Sequence, residues 1–274
     1  MMNPLVARAP RRWRPSPLLS ASLGVHAAAV TLAALRPSQW PWAAAGIGLN
    51  HVVLTASGLW PRCSLLGPNW TRLPPSATAC RQVAVTIDDG PDPLVTPQVL
   101  AILQRYRACA TFFCIGERVR QYPDLSREIV RLGHALENHS QRHPWHFSLL
   151  GPRAMAAEIS AAQETIAAIV GDTPQFFRAP AGLRNPFLDP VLTRLGLRLA
   201  SWTRRGFDTV TREPAVVLRR LQRGLSAGDI VLLHDGHAAR APSGAPVIQE
   251  VLPALLDSIA AAGLLPGTLR AALP

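Results

Sequence analysis

The strongest constraint on the fold is a short apolar segment, residues 83–87, that ends directly on two adjacent carboxylates, Asp88 and Asp89. Its sequence, Val-Ala-Val-Thr-Ile, is rich in β-branched residues and predicts a buried strand. Similar apolar segments alternate with helix-like segments along the chain, which favours an α/β fold with a mostly parallel sheet. In such folds, residues that carry chemistry lie at the carboxyl ends of the strands. The Asp pair therefore marks a candidate site.

The alternation of strands and helices continues to the C-terminus. Segments with an apolar stripe at helical spacing predict helices at residues 96–106, 125–132 and 152–170. Short apolar runs bounded by turn residues predict further strands at residues 110–115, 135–138, 197–201 and 230–234.

Two adjacent buried carboxylates cannot both stay charged without a cation, because desolvation and mutual repulsion each penalise the second charge. A metal ion removes this conflict, and His139 and His143 are natural co-ligands. Their spacing of four residues predicts a helical turn with both imidazoles on one face. One carboxylate and two imidazoles leave coordination positions open, which is typical of a catalytic site. Either motif alone is more typical of a solvated turn or of unrelated surface residues, and the two together favour a metal site.

Three further strand ends carry polar residues. Arg178 and Asp208 each follow a strand-like segment, and His234 ends another. In order and spacing, the five blocks resemble the polysaccharide deacetylases with a NodB-type domain, carbohydrate esterase family 4. The resemblance spans residues 83–274. It implies an irregular seven-stranded (β/α) barrel, (β/α)7, in which five motifs surround one metal ion.

The resemblance also implies roles for the residues at the metal. Asp89, His139 and His143 would bind one divalent ion, with zinc expected first and cobalt or nickel as alternatives. Asp88 would be the general base that takes a proton from water. Arg178 would keep Asp88 ionised and oriented.

A second group of roles follows from the same resemblance. His234 would be the general acid that protonates the leaving amine, and Asp208 would set the tautomer of His234 and raise its basicity. The backbone N–H of Ala181 would help to stabilise the oxyanion. Trp202 and Leu232 would wall a small apolar pocket for the acetyl methyl group. The implied activity is a metal-dependent N-deacetylase that acts on an acetylated saccharide.

Three positions depart from the family pattern, because Ile87, Ala181 and Thr209 stand where the family often has aromatic residues. Backbone groups survive such changes, whereas the lost aromatic surface alters the sugar groove. The sequence therefore predicts the chemistry without a particular polymer as the substrate.

The first 82 residues form a different kind of sequence, since they contain no Asp or Glu. Two apolar segments, residues 18–35 and 40–60, are each long enough to cross a bilayer, and tryptophans lie near their ends. The alternative is a signal peptide, because four arginines precede the first apolar segment. We predict an N-terminal membrane segment with a helical hairpin, a linker and a catalytic domain at residues 1–61, 62–82 and 83–274.

This organisation predicts an integral protein of a bacterial inner membrane that contacts membrane lipid and an N-acetylated saccharide. If both segments cross, the arginine distribution returns the catalytic domain to the cytoplasm, where a lipid-linked sugar is the expected substrate. A single crossing would instead place the domain outside, facing envelope polysaccharide.

The net charge of +11 does not indicate a nucleic-acid partner. Of the 28 basic residues, 8 lie in the acid-free first 82 positions, which leaves 20 against 17 acidic residues. The excess charge therefore concentrates near the predicted membrane segment, where anionic headgroups are the expected partner.

Two other functions compete with the deacetylase. One is a metal-containing but catalytically silent carbohydrate-binding protein, which would need neither Asp88 nor His234. The other is a non-haem iron oxygenase, because two histidines and one carboxylate also form its facial triad. An adjacent base and a distant acid suit hydrolysis better than either alternative.

Overall fold

A computed structural model describes residues 12–273 of the chain. Arg8 and Arg11, which belong to the predicted N-terminal membrane segment, lie outside the described residues, as does Pro274. The described residues comprise an N-terminal pair of helices, an ordered connecting segment and an α/β domain built on one sheet.

The sheet contains eight strands within the described residues. They are β1 (Gln82–Asp88), β2 (Thr111–Cys114), β3 (Ala135–Asn138), β4 (Phe176–Phe177), β5 (Arg198–Leu199), β6 (Arg204–Arg205), β7 (Ile230–His234) and β8 (Leu265–Gly267).

Ten α-helices are present in the same part of the chain. They are α1 (Pro17–Leu35), α2 (Trp40–Leu59), α3 (Pro75–Ala79), α4 (Thr96–Arg105), α5 (Gly116–Gln121), α6 (Pro123–Arg131), α7 (Pro152–Val170), α8 (Leu188–Arg194), α9 (Pro214–Gln222) and α10 (Val247–Ala261).

All paired strands of the sheet run parallel, in the order β5-β4-β3-β2-β1-β7-β6, and β8 also pairs with β1. The two outer strands, β5 and β6, do not pair with each other, so the sheet forms a parallel half-barrel. The predicted α/β fold is therefore confirmed at this level. The sheet differs from the expected seven-stranded barrel, since it has eight strands and an open edge on each side.

The core lies between the sheet and the helices that cover it. Strand β1 is central and buried on both faces, which explains its continuous apolar sequence. Helices α4 and α10 pack against each other beside it, and their apolar stripes face inwards. Representative fully buried members of this cluster are Val85, Leu103, Ile129, Leu233 and Leu252.

The segment between the N-terminal helices and β1 is ordered and packs against the sheet. Leu66 and Leu73 are buried, and the backbone of Trp70 exchanges hydrogen bonds of 2.9 Å with Leu199 and Ser201 beyond the β5 edge. Residues 62–82, predicted as a linker, thus cover part of the gap between the two outer strands.

Helices α1 and α2 lie side by side and are joined by a short 3₁₀ turn. Among the described helices, only α1 is long and apolar enough to cross a membrane by length and composition. Two helices exist where the sequence predicts them, but a hairpin with two membrane crossings is not shown.

The helical pair also contacts the α/β domain at its base. The N–H of Arg184 donates to the carbonyl of Gly58 at 3.1 Å, near the end of α2. The indole N–H of Trp13, which precedes α1, donates to Asp189 Oδ2 at 2.8 Å. These contacts hold the base of the helical pair against the loop that follows β4.

Shortening a side chain in the core tests this description of the fold. We expect Leu252→Ala to lower the free energy of unfolding by about 2–5 kcal/mol, because it removes a fully buried side chain and leaves a cavity. Leu265→Ala is the matched control, since that side chain is 59% exposed and should change stability by less than about 0.5 kcal/mol. Urea unfolding of the two variants measures the difference, and equal losses would contradict the assigned core.

Candidate active site

The candidate site lies at the carboxyl edge of the sheet, where neighbouring strands end in step. In the register of the sheet, Asp88 at the end of β1 pairs with Phe113 on β2 and with His234 on β7. Arg178 follows β4, and its backbone N–H donates to the carbonyl of Asn138 at the end of β3. The parallel topology therefore gathers the predicted blocks, separated in sequence, at one edge.

Asp88 is buried and paired with Arg178. The distance from Arg178 Nη1 to Asp88 Oδ1 is 2.6 Å, and Arg178 is itself only 1% exposed. Three further guanidinium N–H groups donate to Thr86 Oγ1 at 2.8 Å and to the carbonyls of Ala200 and Ser201. Burial lowers the pKa of Arg178, and the charge and hydrogen bond of Asp88 offset part of this effect. The pair fixes the orientation of the Asp88 carboxylate.

Asp89 turns away from the strand direction and faces two imidazoles. Its backbone has φ of 75°, in the left-handed region, so its side chain follows a different path from that of Asp88. Asp89 Oδ1 lies 3.2 Å from His139 Nε2 and 3.4 Å from His143 Nε2. One ligand atom from each of the three residues lies within 4.8 Å of the others. The predicted metal ligands therefore converge.

The two histidines come together through a loop, so the expected helical turn is wrong. Within that loop, Ser140 and His143 have φ of 66° and 52°, which no right-handed helix contains. The N–H of His143 donates to Ser140 Oγ at 3.0 Å and closes the loop. The imidazole centroids of His139 and His143 consequently lie 4.8 Å apart.

A hydrogen bond sets the tautomer of His139. Its Nδ1 lies 2.8 Å from the carbonyl of Arg178, which can only accept, so Nδ1 carries the proton. The neutral ring therefore presents the Nε2 lone pair to Asp89 Oδ1. Asp89 Oδ1 is buried and has no hydrogen-bond partner. Two acceptors that face each other in a buried site require a cation between them, and this donor set fits a divalent metal ion.

The pKa values of these groups follow from the same geometry. Burial raises the pKa of Asp89, but the adjacent imidazoles of His139 and His237 outweigh it and hold the pKa well below its usual value. Burial lowers the pKa of His139, and the two carboxylates more than reverse this effect. Burial and the charge of His139 lower the pKa of His143 to about 4. An ionised Asp89 and a neutral His143 are the forms that bind metal, and the ion would replace the proton on His139.

His234 and Asp208 form a second buried couple. His234 Nδ1 lies 3.0 Å from Asp208 Oδ1, and the His234 backbone N–H donates to Asp208 Oδ2 at 2.7 Å. Burial lowers the pKa of His234, but Asp208, with smaller contributions from Asp88 and Asp89, raises it overall to about 9. The imidazole is therefore protonated at neutral pH and can act as an acid.

The three predicted substrate-binding residues occupy different environments. Ala181 is exposed, with φ of 54°, in a short 3₁₀ turn after β4. Trp202 is buried, and its ring lies so close to Gly182 that a Cβ there would be 2.4 Å from Trp202 Cη2. Leu232 is buried in β7, two residues before His234, so both side chains lie on the same face of the sheet. The acetyl pocket that these residues would form stays a prediction.

Sequence reasoning missed a contact made by His237. His237 Nδ1 lies 2.9 Å from Asp89 Oδ2, whereas His139 and His143 face the other oxygen, Oδ1. The sequence places His237 only in a loop after His234, and its position three residues beyond that strand end was the available signal. His237 therefore contacts one of the predicted metal ligands.

Asp235 is a second residue that the sequence did not assign. It is fully buried, its Oδ2 accepts from Thr96 Oγ1 at 2.5 Å, and burial raises its pKa to about 7. A Cβ at Gly90 would lie 2.6 Å from Asp235 Oδ1, which explains why the Asp-Asp pair is followed by glycine. Asp235 therefore packs directly under the turn that carries Asp89.

Sequence comparisons agree with this site. A model of the polysaccharide deacetylase family matches residues 76–200. A peptidoglycan-N-acetylglucosamine deacetylase from Bacillus cereus is 33% identical over 175 residues, covering 63% of this chain and 81% of the relative. A chitooligosaccharide deacetylase from Azorhizobium caulinodans is 36% identical over 155 residues, covering 56% of this chain and 73% of the relative.

Comparison with solved structures agrees with the sequence comparisons. A family 4 carbohydrate esterase from Streptomyces lividans, solved in complex with acetate, superposes with a TM-score of 0.61 and is 32% identical. The match covers 68% of this chain and 91% of that structure. The chain therefore belongs to the polysaccharide deacetylase family, as its sequence blocks predict, and is an enzyme of the hydrolase class that acts on amide C–N bonds.

Metal analysis tests the convergence of the three ligands. We expect the protein to bind one zinc ion per chain and Asp89→Asn to lose it, because the anionic ligand is removed from a buried site. We expect His237→Ala to keep the site but to weaken zinc affinity about 10- to 100-fold, as loss of a residue that orients a ligand does. Equilibrium dialysis with elemental analysis measures both. The control is Asp124→Asn, which should keep its zinc because the Asp124 side chain is 96% exposed. Retention of zinc by Asp89→Asn would contradict the assignment of Asp89 as a ligand.

Proposed function

We propose that this protein is a metal-dependent N-deacetylase of an amino sugar within a saccharide. One observation carries the proposal: a buried base couple, Asp88 with Arg178, and a buried acid couple, His234 with Asp208, flank a set of residues suited to one divalent ion. Amide hydrolysis needs each of these three parts.

The residues that would hold the ion are Asp89, His139 and His143. A zinc ion bound there, or cobalt or nickel in its place, would polarise the acetamide carbonyl and lower the pKa of water to about 7. Three protein ligands leave positions for water and substrate, as a catalytic site requires.

Asp88 is proposed as the general base. Its Oδ1 is held by Arg178, so Oδ2 is the oxygen left to accept a proton from the attacking water. Asp88 Oδ2 lies 3.9 Å from His139 Nε2, which places it beside the metal ligands without joining them. The buried guanidinium balances the charge of Asp88 in the resting enzyme.

His234 is proposed as the general acid that protonates the amine as the C–N bond breaks. Because Nδ1 is occupied by Asp208, Nε2 is the atom that would give up its proton. Pairing in register with Asp88 puts the acid and the base on adjacent strands, so one saccharide can contact both.

The remaining proposed contacts concern the acetyl group. The backbone N–H of Ala181 would donate to the developing oxyanion, and Trp202 and Leu232 would enclose the methyl group. The tight packing of Gly182 against Trp202 supports a narrow site at this turn.

The two competing functions do not explain why the buried couples Asp88–Arg178 and His234–Asp208 are present. A silent carbohydrate-binding protein and an iron oxygenase could each use Asp89 and the two histidines. Neither needs two further buried ion pairs, and burying charged groups costs free energy. The relatives are named as deacetylases of peptidoglycan and of chitooligosaccharide, which supports an N-acetylglucosamine-containing saccharide as the substrate here.

We also propose that the N-terminal residues 1–61 anchor the enzyme in an inner membrane, with residues 62–82 joining them to the catalytic domain, 83–274. The length and composition of α1, which is largely unburied, support one crossing. Exposed apolar side chains on α2, among them Leu49 and Val52, support contact of the second helix with lipid.

Replacing the proposed base tests the mechanism. We expect Asp88→Asn to lower kcat/KM for acetate release from N-acetylglucosamine oligomers by about 10²- to 10⁴-fold, because the amide cannot accept the proton. Zinc content should be unchanged, since Asp88 is not a proposed ligand. Asp124→Asn, at an exposed position, should keep full activity. An active Asp88→Asn enzyme would exclude Asp88 as the base.

The pH profile tests the acid couple. His234 must be protonated to act, so activity should fall as the pH rises through the pKa of His234, about 9. A cation bound at Asp89 would cancel part of the increase in the His234 pKa that Asp88 and Asp89 cause. The pH at which activity has fallen by half should therefore lie at or below about 9. In Asp208→Asn the charge that raises the pKa is gone, and the alkaline half-point of kcat/KM should move down by about one to three pH units. An unchanged half-point would contradict the role of this couple.

A further inference from the structure

A large cavity lies between the N-terminal helices and the catalytic domain. Its volume is about 790 Å³, within the range of pockets that bind whole ligands. Helices α1 and α2 contribute one wall, with Leu23 and Leu54 among its apolar residues. The catalytic domain contributes the other wall, with Leu149 and Phe187. The lining is mostly apolar, so the cavity suits a hydrocarbon chain better than a sugar.

The catalytic-domain wall is built by the loops that carry the site. Leu149 lies in the connection after β3, which also contains His143, and Phe187 lies in the connection after β4, which contains Ala181. Pro61, at the end of the helical pair, packs against Gly182, beside Trp202. The cavity and the proposed saccharide site are therefore built in part by the same two connections.

Within residues 83–273, most of the large exposed apolar side chains lie on loops that follow the carboxyl ends of strands. Trp145 and Leu149 are 88% and 77% exposed, and Leu94, Phe187 and Val210 are also prominent on loops that follow strand ends. A rim of large exposed apolar residues around an active site marks a surface that meets something apolar. A soluble, fully hydrophilic polymer would leave these side chains in water.

One wall of the cavity also contains a buried positive charge. Arg184 is only 4% exposed, its Nε has no hydrogen-bond partner, and the nearby carboxylate of Asp189 interacts with it electrostatically without forming an ion pair. Its other nitrogens donate to the carbonyls of Cys63 and Gly67. Asp189 offsets only part of the cost of burying this guanidinium, since burial still lowers the pKa of Arg184, and a phosphate group is an anion that its open N–H would match.

We propose that the substrate is an N-acetylated saccharide joined through phosphate to a lipid, and that the lipid chain occupies this cavity while the sugar reaches the catalytic edge. The inference rests on the proposed deacetylase function and names its substrate class. The apolar lining, its continuity with the exposed surface of α1 and α2, and the buried Arg184 with its unpartnered Nε all favour this one occupant.

Two synthetic substrates that share one headgroup isolate the contribution of the hydrocarbon chain. Both are phosphodiesters of N-acetylglucosamine, one with a methyl group and one with a ten-carbon chain, and acetate release is measured for each with the full-length protein in mild detergent. We expect kcat/KM to be at least about tenfold higher for the ten-carbon compound, the effect of burying about two methylene groups.

Variants of the cavity then locate the effect. Thr55→Trp, which fills the cavity from α2, and Phe187→Ala, which removes part of its lining, should each bring the ratio of the two kcat/KM values towards one. Leu265→Ala is the control, because this exposed residue lies on β8, away from the cavity, and should preserve the ratio.

The outcomes separate the two levels of the proposal. Equal kcat/KM values for the two compounds in the wild-type protein would overturn the lipid-linked substrate while leaving the deacetylase function intact. A chain preference that both cavity variants retain would overturn the cavity as its location. Acetate release from neither compound, nor from N-acetylglucosamine oligomers, would overturn the deacetylase function and this inference together.

Discussion

The site depends on a carboxylate oxygen, Asp89 Oδ1, that faces the Nε2 atoms of His139 and His143 at 3.2 and 3.4 Å. Because the other nitrogen of His139 donates to a backbone carbonyl, this arrangement is repulsive without a positive charge at its centre. A proton can supply that charge, which raises the pKa of His139. A divalent ion supplies it better, since it satisfies all three groups at once. The fit of these three residues to a metal ion is thus a consequence of the hydrogen bonds around them.

The parallel sheet makes this arrangement possible by aligning strand ends. Asp88 and His234 pair in register, and Arg178 reaches from the end of β4 to Asp88. The proposed base and the proposed acid therefore lie on adjacent strands, each with its own charged partner. These partners separate the roles, because one stabilises an ionised carboxylate and the other a protonated imidazole. The same fold presents apolar loops around the edge, which connects the chemistry to the N-terminal helices.

Much of the fold could be predicted from the sequence, because the hydrophobic periodicity of helices and strands and the residues of turns are local features of the chain. Strand β3 and helix α7 begin and end where the patterns predict. The helical turn at His139 was wrong because Ser140 and His143 adopt left-handed conformations that spacing alone does not reveal. The role of His237 was not predicted, because its contact with Asp89 joins residues that are 148 positions apart in the sequence. Long-range contacts of this kind, like the packing of α2 against Arg184, follow from tertiary structure and leave no local pattern.

X-ray absorption at the zinc edge, on the zinc-loaded protein, tests the central claim most directly. The account predicts a first shell of nitrogen and oxygen atoms at about 2.0–2.2 Å, with the outer-shell scattering of two imidazoles. The result should be the same in a variant without the four cysteines, Cys63, Cys80, Cys109 and Cys114. A shell with sulfur at about 2.3 Å, or one without imidazole scattering, would contradict binding by Asp89, His139 and His143.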